Sequence, residues 1–261
     1  MYIIIDKSWI INIKKESLIN ICENNFLVLP SPLAYETFTS HNKEQSLSIW
    51  RKLNYVKEKV CFIERINQLI KYEIKHKESF GSIDRFFVKM NFDANIERIL
   101  KGLKIRQKII LLWYKIIWES RYSVNKFKHI LEGIHNYFPL LEKQSKREIF
   151  SQTLNELCEN KNLLLRIYNE VKPSKFPTAS LIDNNWAVYC WLQLHLIYAV
   201  EYKRKYGFPA NKINYETLCH DHIDVEYLML GVLNKSLATD DNNLKSLFKI
   251  SCKDGVLFSN N

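Results

Sequence analysis

The chain has 261 residues, enough for one large domain or two small ones with a real core. Its 47% hydrophobic and 13% aromatic content excludes an intrinsically disordered chain, and only six Gly and six Pro argue for few loops and much helix. A formal charge of +10, from 38 basic and 28 acidic residues, favours a polyanionic partner such as RNA or DNA. The cysteines, Cys22, Cys61, Cys158, Cys190, Cys219 and Cys252, form no Cys-x-x-Cys pair. They are expected to be buried thiols in a reducing cytoplasm.

The first apolar run, Met1–Ile5, is ended by Asp6 and Lys7, too soon for a signal peptide. Tyr2-Ile3-Ile4-Ile5 predicts a strand buried on both faces, as in a parallel sheet, with Asp6 at its carboxyl end. Residues 15–23 predict a helix. Phe26–Leu29 predicts a second strand closed by Pro30, and Ser31 or Pro32 starts a helix carrying Tyr35 and Glu36.

Over residues 43–206 the texture changes to helical spacing rich in charge, with long helices expected in 43–78, 92–135, 145–170 and 178–206. Leu163–Ile167 is compatible with strand or helix. The stretch 184–200 is uncharged but polar enough to read as a buried helix, with no membrane role. Pro173–Pro177 breaks the region, and Gly207–Asn214 reads as a loop. The Trp and Tyr residues at 113–122 and 186–202 are expected in the core. Basic residues of 51–77 and 98–128 interleave with aromatics, and some are candidates for an RNA-binding face.

Strand–helix alternation then returns. Tyr215–Leu233 predicts a helix, Ser236–Thr239 a strand, Asn242–Leu247 a helical turn or two, and Phe248–Ser251 a last core strand to which Val256–Phe258 adds. The expected fold is α/β: a parallel-sheet core from residues 1–40 and 207–261, with a mostly helical insertion over 41–206, part of which completes the core.

Four carboxylates are singled out by position. Asp6 follows the first strand, Glu36 lies in the helix after the second, Asp224 lies in the helix before the next, and Asp241 follows that strand. Ligands of open parallel sheets bind beyond the carboxyl ends of strands, so a doubly wound sheet would bring these acids to one edge. Clustered carboxylates repel unless a cation neutralises them, and hard oxygen donors suit Mg²⁺ or Mn²⁺. Such ions activate water against a phosphodiester. Asp221, one turn before Asp224, and Asp240 are candidate additional ligands. His220 and His222 point to different sides of a helix, which argues against a shared ion and for solvated or capping roles. There is no phosphate-binding Gly loop and no Gly-x-Ser-x-Gly.

Ile3-Ile4-Ile5-Asp6, Val28-Leu29-Pro30 with Tyr35-Glu36, Asp224-Val225-Glu226-Tyr227-Leu228 and Leu237-Ala238-Thr239-Asp240-Asp241 together resemble, in order, the strand, helix and turn motifs of PIN-domain nucleases. The long interval between Glu36 and Asp221 departs from a compact PIN core. The resemblance implies a metal-dependent endoribonuclease using Asp6, Glu36, Asp224 and Asp241, with Thr239 positioning the turn and Mg²⁺ or Mn²⁺ as cofactor. It implies RNA as substrate. A toxin or defence effector held by an antitoxin or other regulatory protein is one expectation, with a homodimer as in related toxins. A non-catalytic RNA-binding scaffold and a structure-specific DNA nuclease are the alternatives.

Overall fold

The computed structural model describes residues 1–63, 66–89, 121–139, 141, 147–207 and 215–260; for Tyr35, Phe38, Thr39, 121–127, 147, 215, 216 and Cys219 it describes the backbone alone. In chain order the elements are β1 (Tyr2–Ile5), α1 (Lys7–Asn12), α2 (Lys15–Asn24), β2 (Phe26–Pro30), α3 (Ser31–Thr39), α4 (Lys43–Tyr55), β3 (Val60–Ile63) and α5 (Asn67–His76). There follow β4 (Phe87–Lys89), α6 (Arg121–Tyr137), α7 (Arg147–Glu159), α8 (Lys161–Val171) and α9 (Ala187–Tyr206). The last are α10 (Tyr215–Asn234), β5 (Ser236–Ala238), α11 (Asn242–Ser251) and β6 (Val256–Phe258). The chain divides into two compact units. The described residues 1–63, 82–89 and 230–260 belong to the first, and 66–81, 121–139, 141, 147–207 and 215–229 to the second.

The first unit is α/β. Its six strands run in the order β4-β3-β2-β1-β5-β6, and all neighbours are parallel except β3 and β4. Ile3, Ile4 and Ile5 are fully buried, as are Leu27, Val28, Leu237 and Ala238, so the central strands are covered on both faces. The chain moves outward in one direction from β1 through β2 to β3, then returns to add β5 on the other side of β1. That reversal between β1 and β5 is the topological switch point, where the carboxyl ends of two adjacent strands diverge into a crevice. Trp9 and Ile10 of α1 are also fully buried. Lys52 of α4 donates to the carbonyls of Ile10 and Ile11, at 3.1 and 2.6 Å, and so fastens the end of α1, whose last carbonyls lack helical partners.

The second unit is helical. Residues 187–202 of α9 are almost entirely buried, including His195, Tyr198 and Tyr202. Such all-round burial explains the uncharged stretch. α9 packs against α5, α6, α7 and α8. Its N-terminus is satisfied by a buried side chain from α5: both carboxylate oxygens of Glu73 accept backbone hydrogen bonds, from Ala187 at 2.6 Å and Val188 at 3.0 Å.

The structure corrects some of these expectations and decides others. Phe248–Ser251 continues helix α11, because the Asp241 cap starts a helix whose Leu244, Leu247 and Phe248 share one buried face. The last strand is Val256–Phe258, parallel to β5. Leu163–Ile167 lies within α8, started by the Asn160 side chain accepting from Leu163 N at 3.0 Å. The stretch 43–78 contains strand β3 between two helices, and residues 41–63 and 82–89 belong to the sheet unit. Residues 215–229, expected with the sheet core, belong to the helical unit. Cys22, Cys61, Cys190 and Cys252 are buried free thiols and Cys158 is half-buried. Among the described residues no helix is long and apolar enough to cross a membrane. Most of the basic and aromatic stretch 98–128, including Trp113, and nearly all of the Gly207–Asn214 loop lie outside the described residues.

Candidate active site

At the switch point the ladder hydrogen bonds continue past the strands. Asp6 N donates to Ala238 O at 2.9 Å, and Thr239 N donates to Phe258 O at 3.0 Å. The turn Thr239-Asp240-Asp241 is thereby laid beside Asp6. Two hydroxyls join them. Ser8 Oγ donates to Asp6 Oδ2 at 2.5 Å, and Thr239 Oγ1 donates to the same oxygen at 2.6 Å. Each hydroxyl also accepts from the turn: Ser8 Oγ from Asp240 N and Asp241 N at 2.9 and 3.1 Å, and Thr239 Oγ1 from Asp241 N at 3.1 Å. A hydroxyl that accepts a backbone N–H has its own proton oriented away, toward the carboxylate.

Asp6 is only 5% exposed and Thr239 is fully buried. Burial pushes the Asp6 carboxyl above its ordinary range, against the opposing pull of the Ser8 and Thr239 hydroxyls and the backbone of Ser8 and Lys7. The side chain is thus held in one orientation at a place where its charge is poorly solvated.

The two candidates for the last acid part company. Asp240 spends both oxygens on structure. Oδ1 accepts from Asn260 N at 2.9 Å, and Oδ2 accepts from the Asn12 and Asn260 amides at 2.9 and 2.8 Å. Burial alone would raise its pKa, but Asn260, Asn12 and Lys245 hold the carboxyl below its ordinary value. Asp241 is exposed and uses Oδ1 to cap α11 through Leu244 N at 2.9 Å.

Glu36 arrives by a parallel route. β2 ends at Pro30 on the same edge of the sheet, and α3 carries Glu36 to Lys7, with Oε1 at 4.0 Å from Nζ. Asp221 and Asp224 lie in the second unit, half-buried and one turn apart on α10. His220 is exposed there, whereas His222 is buried and so is neither the solvated nor the capping residue expected from its sequence context.

The first unit therefore brings together Asp6, Thr239, Asp240 and Asp241, with Glu36 beside Lys7. Ser8 is the functional candidate that sequence reasoning passed over. Its signal was present as Asp-x-Ser at a strand end, where a side chain two residues on can reach back to the carboxylate. Among the described residues, no three or more His, Cys, Asp or Glu side chains are grouped to hold an ion. The donors at this edge are nonetheless hard oxygens, and Mg²⁺ is commonly held through one or two carboxylates with the rest of its shell water. A cation would also offset the burial of Asp6, so the residues present fit such an ion.

Comparison of the chain with protein-family models, curated proteins and solved structures finds no match.

Proposed function

We propose that the first unit is a metal-dependent endoribonuclease of PIN type, with its site at the β1/β5 crevice. The observation that carries this reading is the fastening of Asp6 to the Thr239–Asp241 turn by two hydroxyls at the switch point of a parallel sheet. Asp6 and Asp241 would hold Mg²⁺ or Mn²⁺, with Glu36 acting directly or through water. The ion supplies an activated water and neutralises charge on the phosphodiester. Ser8 and Thr239 keep Asp6 from rotating, so its orientation is set before substrate arrives. The Asp241 cap fixes the turn in the same way. Lys7 supplies a cation at the crevice edge, and the chain's net +10 favours a polyanionic strand. In a cell such an activity fits a toxin or defence effector restrained by a regulatory partner.

The test is cleavage of a labelled total RNA pool in Mn²⁺, Mg²⁺ or EDTA. Wild type is compared with Asp6→Asn, Asp241→Asn and the double variant, and an Asp224→Asn arm measures whether that carboxylate takes part. The expected outcome is cleavage by wild type in Mn²⁺ or Mg²⁺, none in EDTA, and a loss of at least about 100-fold in Asp6→Asn, the scale of removing one group that orients or stabilises the reacting centre. Undiminished cleavage by the double variant, or none by wild type with either metal, would overturn the reading. Faster cleavage of branched DNA would reassign the substrate.

A further inference from the structure

In the first unit α1, α2 and α4 meet at a corner beside the acidic edge. Its place is fixed by contacts. Lys52 of α4 donates to Ile10 O and Ile11 O. The next residue, Asn12, donates to Asp240 Oδ2 at 2.9 Å, in the turn laid beside Asp6. α2 begins at Lys15, and Lys15 Nζ lies 4.0 Å from the centroid of the Tyr55 ring at the end of α4. A chain of contacts therefore leads from the acidic turn, past the C-terminus of α1, to Tyr55.

The sequence makes this corner basic. Residues 10–16 and 51–55 hold Lys14, Lys15, Arg51 and Lys52 against one carboxylate, Glu16. Lys14, Lys15 and Arg51 are exposed. Glu58, the next acid after α4, lies 3.3 Å from Lys89. Among the described residues neither Lys14 nor Lys15 is in an ion pair. The last carbonyls of a helix carry partial negative charge, which repels a polyanion. Lys52 covers two of them on α1 and puts an ammonium group in their place.

Tyr55 supplies a different kind of surface. Ile49, Trp50 and Leu53 turn the inner face of α4 into the core. Tyr55 lies off that face and is 54% exposed, so with Lys15 over its ring it still has area for a second partner. The lysine above the ring also sets its orientation. Arg51 stands one turn before Tyr55 on the same side of α4. An exposed aromatic ring among cations matches what a single strand presents: a base to stack on the ring and phosphates to meet the charges. A duplex keeps its bases stacked inside and offers such a surface its phosphates and sugars.

We infer that this corner is a track for single-stranded RNA, with one base stacked on Tyr55 and the neighbouring phosphates held by Lys14, Lys15 and Arg51. The choice of RNA as the polyanion, and of the acidic turn as the place the track leads to, rests on the ribonuclease reading above.

The probes are a fluorescein-labelled oligouridylate of about 12 nucleotides, within the range of single-strand site sizes, and an RNA duplex of the same length. Binding to the full chain is read by fluorescence anisotropy in EDTA, where metal-dependent cleavage cannot consume the probe. Tyr55→Ala is expected to weaken the single strand by about tenfold, the scale of one stacked base, and to change duplex binding by less than about twofold. Tyr55→Phe keeps the ring and is expected to bind as wild type does, which guards against a merely structural loss. Lys14→Gln with Lys15→Gln is expected to flatten the log–log salt dependence by about 1.4, from two phosphates at about 0.7 each. No binding of the oligouridylate by wild type would overturn the assignment. So would wild-type affinity in Tyr55→Ala, or an unchanged salt slope in the double lysine variant. Binding with these dependences but no RNA cleavage in Mn²⁺ or Mg²⁺ would overturn the ribonuclease reading and leave the RNA surface standing. Metal-dependent cleavage with neither variant weakened would do the reverse.

Discussion

Asp6 Oδ2 receives two hydroxyl protons, and the two donors differ in what surrounds them. Thr239 is fully buried, whereas Ser8 lies in a partly exposed position. Thr239→Val keeps the shape and strips the donor, leaving a buried carboxylate short of one partner. The expected cost is about 1–3 kcal/mol in urea unfolding. Ser8→Ala also unties the Asp240 and Asp241 amides, but water can reach them, so its stability cost is smaller. On the proposed function, both variants are expected to lower the rate of RNA cleavage at unchanged metal requirement. Two variants that unfold and cleave like wild type would show that the hydroxyls do not hold the carboxylate in place. These polar contacts were only half legible in sequence. Asp6, Thr239 and Asp241 stand at strand ends and announce themselves. Asn260 carries no pattern of its own, and the Asp-x-Ser spacing of Ser8 does not reveal its bonds to the turn; both roles come from a register between segments far apart in the chain. The same register explains why Asp240 and Asp241 could not be told apart beforehand: Asn12 and Asn260 had to be placed first.

Among the elements, β1 and β2 were readable because burial on both faces leaves a continuous apolar run. β3 was not, since Val60–Ile63 follows a helix directly and sits inside a stretch whose charges keep helical spacing. β4 is an antiparallel strand with two of its three residues exposed, and it has no alternation long enough to detect. Glu73 shows a further limit. In sequence it is one more charge on α5, yet it is fully buried and caps α9. Burial raises its pKa from 4.5 to about 7 despite the Val188 and Ala187 bonds that favour the charged form. The folded state therefore holds this proton more tightly than the unfolded chain does. Its contribution to stability is full below about pH 4.5 and is lost as pH rises through about 7, a change of roughly 3 kcal/mol. Glu73→Gln, which cannot ionise, should flatten that part of the curve of unfolding free energy against pH. Parallel curves for variant and wild type would refute the assignment.

For the whole molecule, the net charge of +10 makes a prediction that no single residue makes. RNA affinity should fall steeply between about 50 and 200 mM salt, with a log–log slope near −0.7 for each phosphate neutralised on a single strand. A flat dependence would mean that the basic excess is not spent on the backbone of RNA. The change of texture along the sequence predicts one α/β core with a helical insertion, and it does not coincide with the borders of the two units. β3 and β4 interrupt the helical pattern, and α10 is an unbroken helix whose residues are shared between the two units, so periodicity gives no signal at the border.

Thr239 and Asp6 are 233 residues apart in sequence yet share a hydrogen bond. A chain made at about 5–20 residues per second presents Asp6 first and the turn that orders it roughly 10 to 50 seconds later. During that interval β1 has no β5 to lie against, and Asp6 lacks the Thr239 hydroxyl. Whatever chemistry the crevice performs, a ribosome that stalls or a protease that cuts before residue 236 leaves a product without it. The order of synthesis thus leaves Asp6 without this partner until β5 and the turn after it have been made.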